Sequence, residues 1–334
     1  MLMNKKVIPI CLYVDHDCLL HAMVCFLSIK DHNPSAHICL VYKEDFPLSK
    51  EEIAWFEENK PVWGEVEFVC FPPNAEPLLH IAGKLEKYQQ ILWINSKSIV
   101  QTELTPLLSL NMGESIFAAC AKNMSQKERN YATVCLNLQE GLYFNLNICI
   151  INVGSYMKAD AGERCRNYMA DHQDLWHPVE DTVNVVFGRF CTELDASWNV
   201  PVQSGISDQR LDWYPQDIRE KADTAVNPLI VNYGAIDSYH ILNSQLGHVW
   251  LGYVLQIAAS PFFPKLFHAF LGEAGSGAED LLILLQIVQQ KIEQNAQLAQ
   301  QLQAETEKTR KLEQASVYKL YGRVKRLYRK VVKG

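Results

Sequence analysis

Short apolar runs alternate with amphipathic segments from Val7 to about position 245. "VIPICLYV" predicts a first strand, and "LLHAMVCFLSIKDH" follows it with helical spacing. "AHICLVY" predicts the next strand, and "SKEEIAWFEENK" a helix with Ser49 as its N-cap. "VEFVCF", "IFAACA" and "LNICIINV" predict further strands. Strand and helix in alternation imply an α/β fold around a mixed, mostly parallel central sheet. From 246 to 271, "GHVWLGYVLQIAASPFFPKLFHAFL" is aromatic and helical, broken at Pro261 and Pro264. "GEAGSGAED" (Gly272 to Asp280) reads as a hinge, since its glycines lack the strand and the Lys-Ser/Thr of a phosphate loop. A long helix is predicted from Ala278, with Leu285, Val288, Ile292, Leu298 and Leu302 on one stripe. Asn295, Thr306 and Glu313 interrupt its partial heptad. The organisation is therefore 1–245 for the α/β domain, 246–277 for an aromatic helical segment and hinge, and 278–334 for the helical extension.

The end of that extension changes the picture of the charge. Seven Lys and Arg residues and no acid fall between Val317 and Gly334, in a chain whose net charge is −7. The rest of the chain is thus strongly acidic, which argues against nucleic acid as a partner. Val317, Leu320, Tyr321, Val324, Leu327, Tyr328 and Val331 recur at helical spacing between the basic residues. A basic amphipathic helix with interfacial aromatics suits an anionic membrane surface, through Lys319, Arg323, Arg326, Arg329, Lys330, Tyr321 and Tyr328. The alternative is a helix packed on the protein's own acidic body. The Gln-rich helix before it is also a candidate for self-association into a homo-oligomer. No run reaches the length of a spanning helix, and "MLMNKKVIPICLYV" lacks a small-residue cleavage site. The expected location is cytoplasmic, peripheral on the inner face of the cell membrane.

The ten cysteines form no C-x-x-C pair and lie mostly in apolar runs, as reduced, buried thiols do. Cys11, His16, Cys18 and His21 follow C-x4-H-x-C-x2-H, which matches no common zinc spacing. There is no H-E-x-x-H and no G-x-S-x-G, so zinc proteases and α/β hydrolases have no support.

"LWINSKSIV" (Leu92 to Val100) is a buried strand ending abruptly in polar residues, where α/β enzymes often place a metal-binding pair of carboxylates. The blocks around it occur in a recognisable order. They are "IPICLYVDHDCLLHAMVCFLSI", "YQQILWINSKSIVQTELTPLLSL", "GLYFNLNICIINVGSY", "VEDTVNVVF", "LDASWNVP", "PLIVNYGA" and "HVWLGYVLQIAASPFF". Over about residues 7 to 264 the chain resembles glycosyltransferase family 8, retaining GT-A enzymes that include lipopolysaccharide hexosyltransferases. The resemblance implies a GT-A-like nucleotide-sugar-binding domain and sugar transfer to a lipopolysaccharide or other surface-glycan acceptor. The implied donor is a nucleotide sugar, first of all a UDP-sugar, and the acceptor a glycan or glycolipid.

The resemblance also implies a manganese or magnesium ion held by an Asp-x-Asp pair and a histidine. The matching positions here are Asn95, Lys97 and Asn232, so all three ligands are replaced and no metal cofactor is expected. The family's D-Q-D-x-L-N block reads Val179, Glu180, Asp181 at its start, and F-N-A-G reads Phe144-Asn145-Leu146-Asn147. The implied nucleotide-sugar contacts are Asp15, His16, Asp17, Asn95, Lys97, Asn145 and Asn232, with Glu180, Asp181 and Lys97 as the catalytic candidates. Two readings stay open. Either Lys97 replaces the ion and neutralises the leaving diphosphate itself, or the site has lost its chemistry and the fold survives as a scaffold or interaction protein at the membrane surface.

Overall fold

The strand "ICLY" is β1 (Ile10–Tyr13), and its apolar run is buried because partners flank it on both sides. A computed structural model describes residues 7–15, 18–139, 142–202, 228–234, 241, 247–258, 260 and 263–266. The chain divides into two compact units, 1–275 and 276–334. Everything described lies in the first. The predicted hinge, long helix and basic tail lie outside the described residues.

After β1 come α1 (Leu19–His32), β2 (His37–Lys43), α2 (Lys50–Glu58), β3 (Glu65–Phe71), α3 (Pro77–Lys84) and β4 (Gln90–Ile94). Then follow β5 (Ser98–Val100), α4 (Thr105–Leu108), β6 (Phe117–Ala121), α5 (Gln126–Asn130) and β7 (Phe144–Asn152). The last are α6 (Val153–Lys158), α7 (Ala161–Asp171), α8 (Pro178–Phe187), β8 (Cys191–Leu194), β9 (Val200–Pro201), β10 (Ile230–Asn232) and α9 (Gly247–Ile257). Ser49 caps α2 as its sequence predicts, in a reciprocal capping box with Glu52.

The main sheet has the order β3-β2-β1-β4-β7-β6-β8. Its pairs are parallel except where β7 runs antiparallel between β4 and β6. A small second sheet has the order β5-β10-β9. Helix α1 lies buried from Leu19 to Ile29, the burial expected of a helix apolar all round. Ser28 Oγ accepts from Val100 N at 3.0 Å and Asn33 Oδ1 from Leu104 N at 2.8 Å, which fixes β5 and the segment after it against α1. Helix α9 packs on α1 as well, with Trp250 against His21 at 5.6 Å between ring centroids. On the other face a core of Val69, Leu79, Ile91, Phe117, Tyr156 and Phe187 lies between the sheet and α3, α6, α7 and α8.

Candidate active site at the carboxyl edge of the sheet

The strands β1, β4, β6 and β8 all end on one edge, and β7, running the other way, begins there. The order 3-2-1-4 reverses direction between β1 and β4, and open α/β sheets bind ligands in the crevice at such a point. The loop after β1 is ordered by Asp15, whose Oδ1 accepts from Cys18 N at 2.8 Å at the start of α1. Ser96 Oγ donates to the carbonyl of Tyr13, joining that loop to the end of β4. His16 and Asp17, expected to contact the nucleotide, lie outside the described residues.

Asn95 sits just past β4. Its N–H donates to Asn147 O at 2.7 Å, its Nδ2 to Asn147 Oδ1 at 3.2 Å, and its Oδ1 accepts from Lys97 N at 2.8 Å. Asn145 Oδ1 accepts from Asn147 N at 2.8 Å. On β10, Asn232 is buried. Its Nδ2 donates to Asn199 Oδ1 at 2.8 Å and its Oδ1 accepts from Gly234 N at 2.8 Å. Gly234 closes the gap between the two groups. A methyl group there would stand 2.9 Å from Asn232 Oδ1 and 3.5 Å from Asn147 Nδ2, so a larger residue would push the Asn232 amide out of place. The Lys97 carbonyl accepts from Tyr233 N at 2.7 Å, tying the loop after β4 to the small sheet. The structure thus brings Asn95, Lys97, Asn145 and Asn232 to one place.

Two further amides, Asn147 and Asn199, join them. A break in the β6–β7 register places Asn147 there: Ala119 pairs with Cys149, yet Cys120 pairs with Asn145. Such bulges turn side chains toward a site.

The side chain of Lys97 is half-buried, and its charge is felt by the residues around α1's start. Burial, and secondarily Lys97, push His21 down to about 3. Burial and Asp15 hold the Cys18 thiol well up, with Lys97 pulling against them.

The two carboxylates of α8 differ sharply. Glu180 Oε1 accepts from Lys122 Nζ at 2.7 Å, and its Oε2 from Leu146 N at 3.3 Å. Lys122 stands just past β6, also 5.0 Å over the Tyr143 ring. Asp181 is wholly buried, with one oxygen accepting from Tyr143 Oη and the other from Tyr131 Oη at 2.7 Å and His177 N at 2.9 Å. Burial, then the charges of Glu180 and Asp181, hold the Tyr143 hydroxyl far above the usual phenol range. The expectation that Glu180 and Asp181 face the sugar together does not match this arrangement. Asp181 is enclosed by protein donors at the start of α8, and only Glu180 stands half-buried beside Leu146. Asn184 Oδ1 accepts from Phe144 N at 2.6 Å, and its Nδ2 donates to Phe144 O at 2.9 Å and to Glu180 O at 2.8 Å, docking α8 on β7. Sequence reasoning passed over Lys122, although a lysine directly after the apolar run "FAACA" carries the same signal as the polar end of β4.

Among the described residues this edge offers no carboxylate of the Asp-x-Asp kind, and the oxygens of Asn95 and Asn232 already accept backbone N–H groups. That donor set does not fit a manganese or magnesium ion, which takes several free hard oxygens. A cleft of about 510 Å³ lies at the opposite edge, lined by residues such as Tyr88, Gln90, Asn111 and Asn152. It is far from the crossover point of the sheet.

Residues 79–224 match the family described as Glycosyl transferase family 8. That stretch, under half of the chain, is similar to glycosyltransferase family 8. The fold of the chain is that of GT-A glycosyltransferases of known structure. WbbM, a bifunctional glycosyltransferase, superposes with a TM-score of 0.66 at 16% identity, over 80% of this chain and 52% of its own. The chain therefore spans about half the length of WbbM. The galactosyltransferase LgtC, solved with donor and acceptor sugar analogs, gives a TM-score of 0.62 at 14% identity, over 74% of this chain and 95% of its own. The glycosyltransferase GlyE of Streptococcus pneumoniae TIGR4 gives 0.55 at 17% identity, over 74% of this chain and 60% of its own. At these identities the likeness is one of fold. No curated protein matches the chain by sequence.

Proposed function

We propose that the family 8-like domain binds a nucleotide sugar at the carboxyl edge of its sheet without a divalent ion, and transfers the sugar slowly or in altered form to a surface-glycan acceptor. The observation that carries this reading is the amide cluster. Asn95, Asn147 and Asn232 occupy the region of the expected metal ligands and spend their oxygens on one another and on backbone N–H groups. Lys97, in the same loop, supplies a fixed positive charge where a diphosphate's negative charge has to be met. Asp15 and the loop after β1 would hold the nucleotide, and Glu180, bonded to Lys122, would be the carboxylate that faces the sugar. Asp181 is assigned to holding the start of α8 rather than to chemistry.

The second reading, a scaffold without catalysis, is favoured by the same cluster's closed hydrogen bonding. Calorimetry with UDP-sugars, once with manganese and once with EDTA, separates the readings. Equal binding in both buffers is expected, with Lys97→Ala weakening it by about thirtyfold, the scale of an unpaired buried charge. Binding that requires manganese would overturn the metal-free site, and no binding in either buffer would leave the scaffold.

The basic amphipathic pattern of residues 317–334 supports a peripheral place on an anionic membrane, facing a lipid-linked acceptor. Vesicles containing anionic lipid should co-float with the full chain. They should lose it when Arg323, Arg326 and Arg329 are changed to Glu, and unchanged flotation would sink the membrane role.

A further inference from the structure

At the opposite edge of the sheet, where the parallel strands begin, three side chains with metal-binding atoms converge. His37 and Cys39 lie on one face of β2 because they are two residues apart. Cys39 is in register with Glu67 on β3, and with Cys11 on β1. In-register neighbours of a parallel sheet are about 4.8 Å apart, so this row of side chains must meet. His37 Nε2 is 3.2 Å from Glu67 Oε2, Cys39 Sγ is 3.9 Å from that same oxygen, and the three ligand atoms all lie within 4.8 Å of one another.

We propose that His37, Cys39 and Glu67 bind a zinc ion, with a solvent molecule as the fourth ligand. In tetrahedral zinc, bonds of about 2.0–2.3 Å put neighbouring ligand atoms roughly 3.3–3.8 Å apart. The His37–Glu67 and Cys39–Glu67 separations stand close to that spacing before any ion pulls them in. The ligand types suit zinc, a borderline-soft ion that takes thiolate, imidazole and carboxylate together. The surroundings fit too. Glu65 Oε2 lies 3.5 Å from His37 Nδ1, the ring nitrogen facing away from the cluster. A carboxylate there orients a metal-bound histidine through its other nitrogen. Tyr88 Oη bridges the two ligand atoms, 3.0 Å from His37 Nε2 and 3.2 Å from Glu67 Oε2, and an ion would displace it from the histidine while it keeps its bond to the carboxylate. The Lys87 ammonium, 3.0 Å from Glu67 Oε1, balances the carboxylate's charge in the metal-free protein and is exposed enough to swing away. The ion would clamp β2 and β3 at an edge remote from the donor cleft, so the site is independent of the sugar-transfer reading.

Cobalt(II) is the probe, because a thiolate–cobalt bond gives a near-ultraviolet charge-transfer band that folding alone does not produce. The full chain, reduced and freed of metal, should take up one equivalent of cobalt(II) with that band, and zinc should displace it. His37→Gln should weaken uptake by about tenfold or more, and Cys39→Ser should abolish the band. Lys87→Met removes the competing cation and should tighten binding, a gain that misfolding cannot imitate. Absence of the band in the folded wild-type chain, or a band that survives Cys39→Ser, would overturn the site.

Discussion

Replacing Asp181 by alanine should cost about 3–6 kcal/mol of stability. The carboxylate is wholly buried and accepts from Tyr131 Oη, Tyr143 Oη and His177 N, so its removal orphans three donors. Each buried donor left without an acceptor costs about 1–2 kcal/mol here, toward the middle of the usual range. Domains of this size are stable by only about 5–15 kcal/mol, so the loss is a large share. Asp181→Asn keeps an oxygen toward Tyr131 and His177 and turns an amide toward Tyr143, whose hydroxyl can rotate to accept. It should cost only about 1–2 kcal/mol. In urea unfolding followed by far-ultraviolet circular dichroism, with a slope near about 3 kcal/mol per molar, alanine should lower the midpoint by about 1–2 M. A double-mutant cycle with Tyr143→Phe should show a coupling of about 1–3 kcal/mol. A midpoint unchanged in Asp181→Ala, with no coupling, would refute the anchoring role and return Asp181 to the catalytic candidates.

Two other outcomes follow from the same geometry. Asn184→Ala removes both bonds to the Phe144 backbone and should lower stability by about 2–4 kcal/mol, seen as a fall of roughly 3–7 °C in Tm; an unchanged Tm would mean that α8 docks by packing alone. His21, held at about 3 by burial, stays neutral in the folded chain, whereas the unfolded chain protonates it below about 6.5. Its contribution is therefore complete above pH 6.5 and is lost as pH falls, by about 1.4 kcal/mol per unit. Unfolding free energies from urea titrations at pH 7 and pH 5 should diverge by about 2 kcal/mol more in wild type than in His21→Gln, and equal differences would show that His21 already carries its proton.

The clearest lesson about reading this chain comes from α8. "VEDTVNVVF" places Glu180 and Asp181 side by side, and sequence alone gives no reason to treat them differently. The tertiary structure separates them, because successive helix positions point about 100° apart. Glu180 turns toward Lys122 and β7, and Asp181 turns under two tyrosines. Tyr143 stands in the block "GLYFNLNICIINVGSY" and Tyr131 in none, yet both act on Asp181 through their place beneath α8. Asn184 belongs to the same block, and its hydrogen bonds to the Phe144 backbone give it a structural task.

Hydrophobic patterning by itself determined the local elements: the buried α1, the capped α2, and the strands β1, β2, β3, β6 and β7. It did so because apolar period and capping chemistry act within a few residues of chain. The order of blocks also marked "LWINSKSIV" as the end of a site strand and Asn95, Lys97 and Asn232 as its altered positions. Only the tertiary structure decided how those positions combine. β7 enters antiparallel between β4 and β6, and its broken register turns Asn145 and Asn147 toward Asn95. The small sheet of β5, β9 and β10 carries Asn232 and Asn199 to the same place. Those contacts join residues far apart in the chain, and strand order and register, which no local pattern encodes, bring them together.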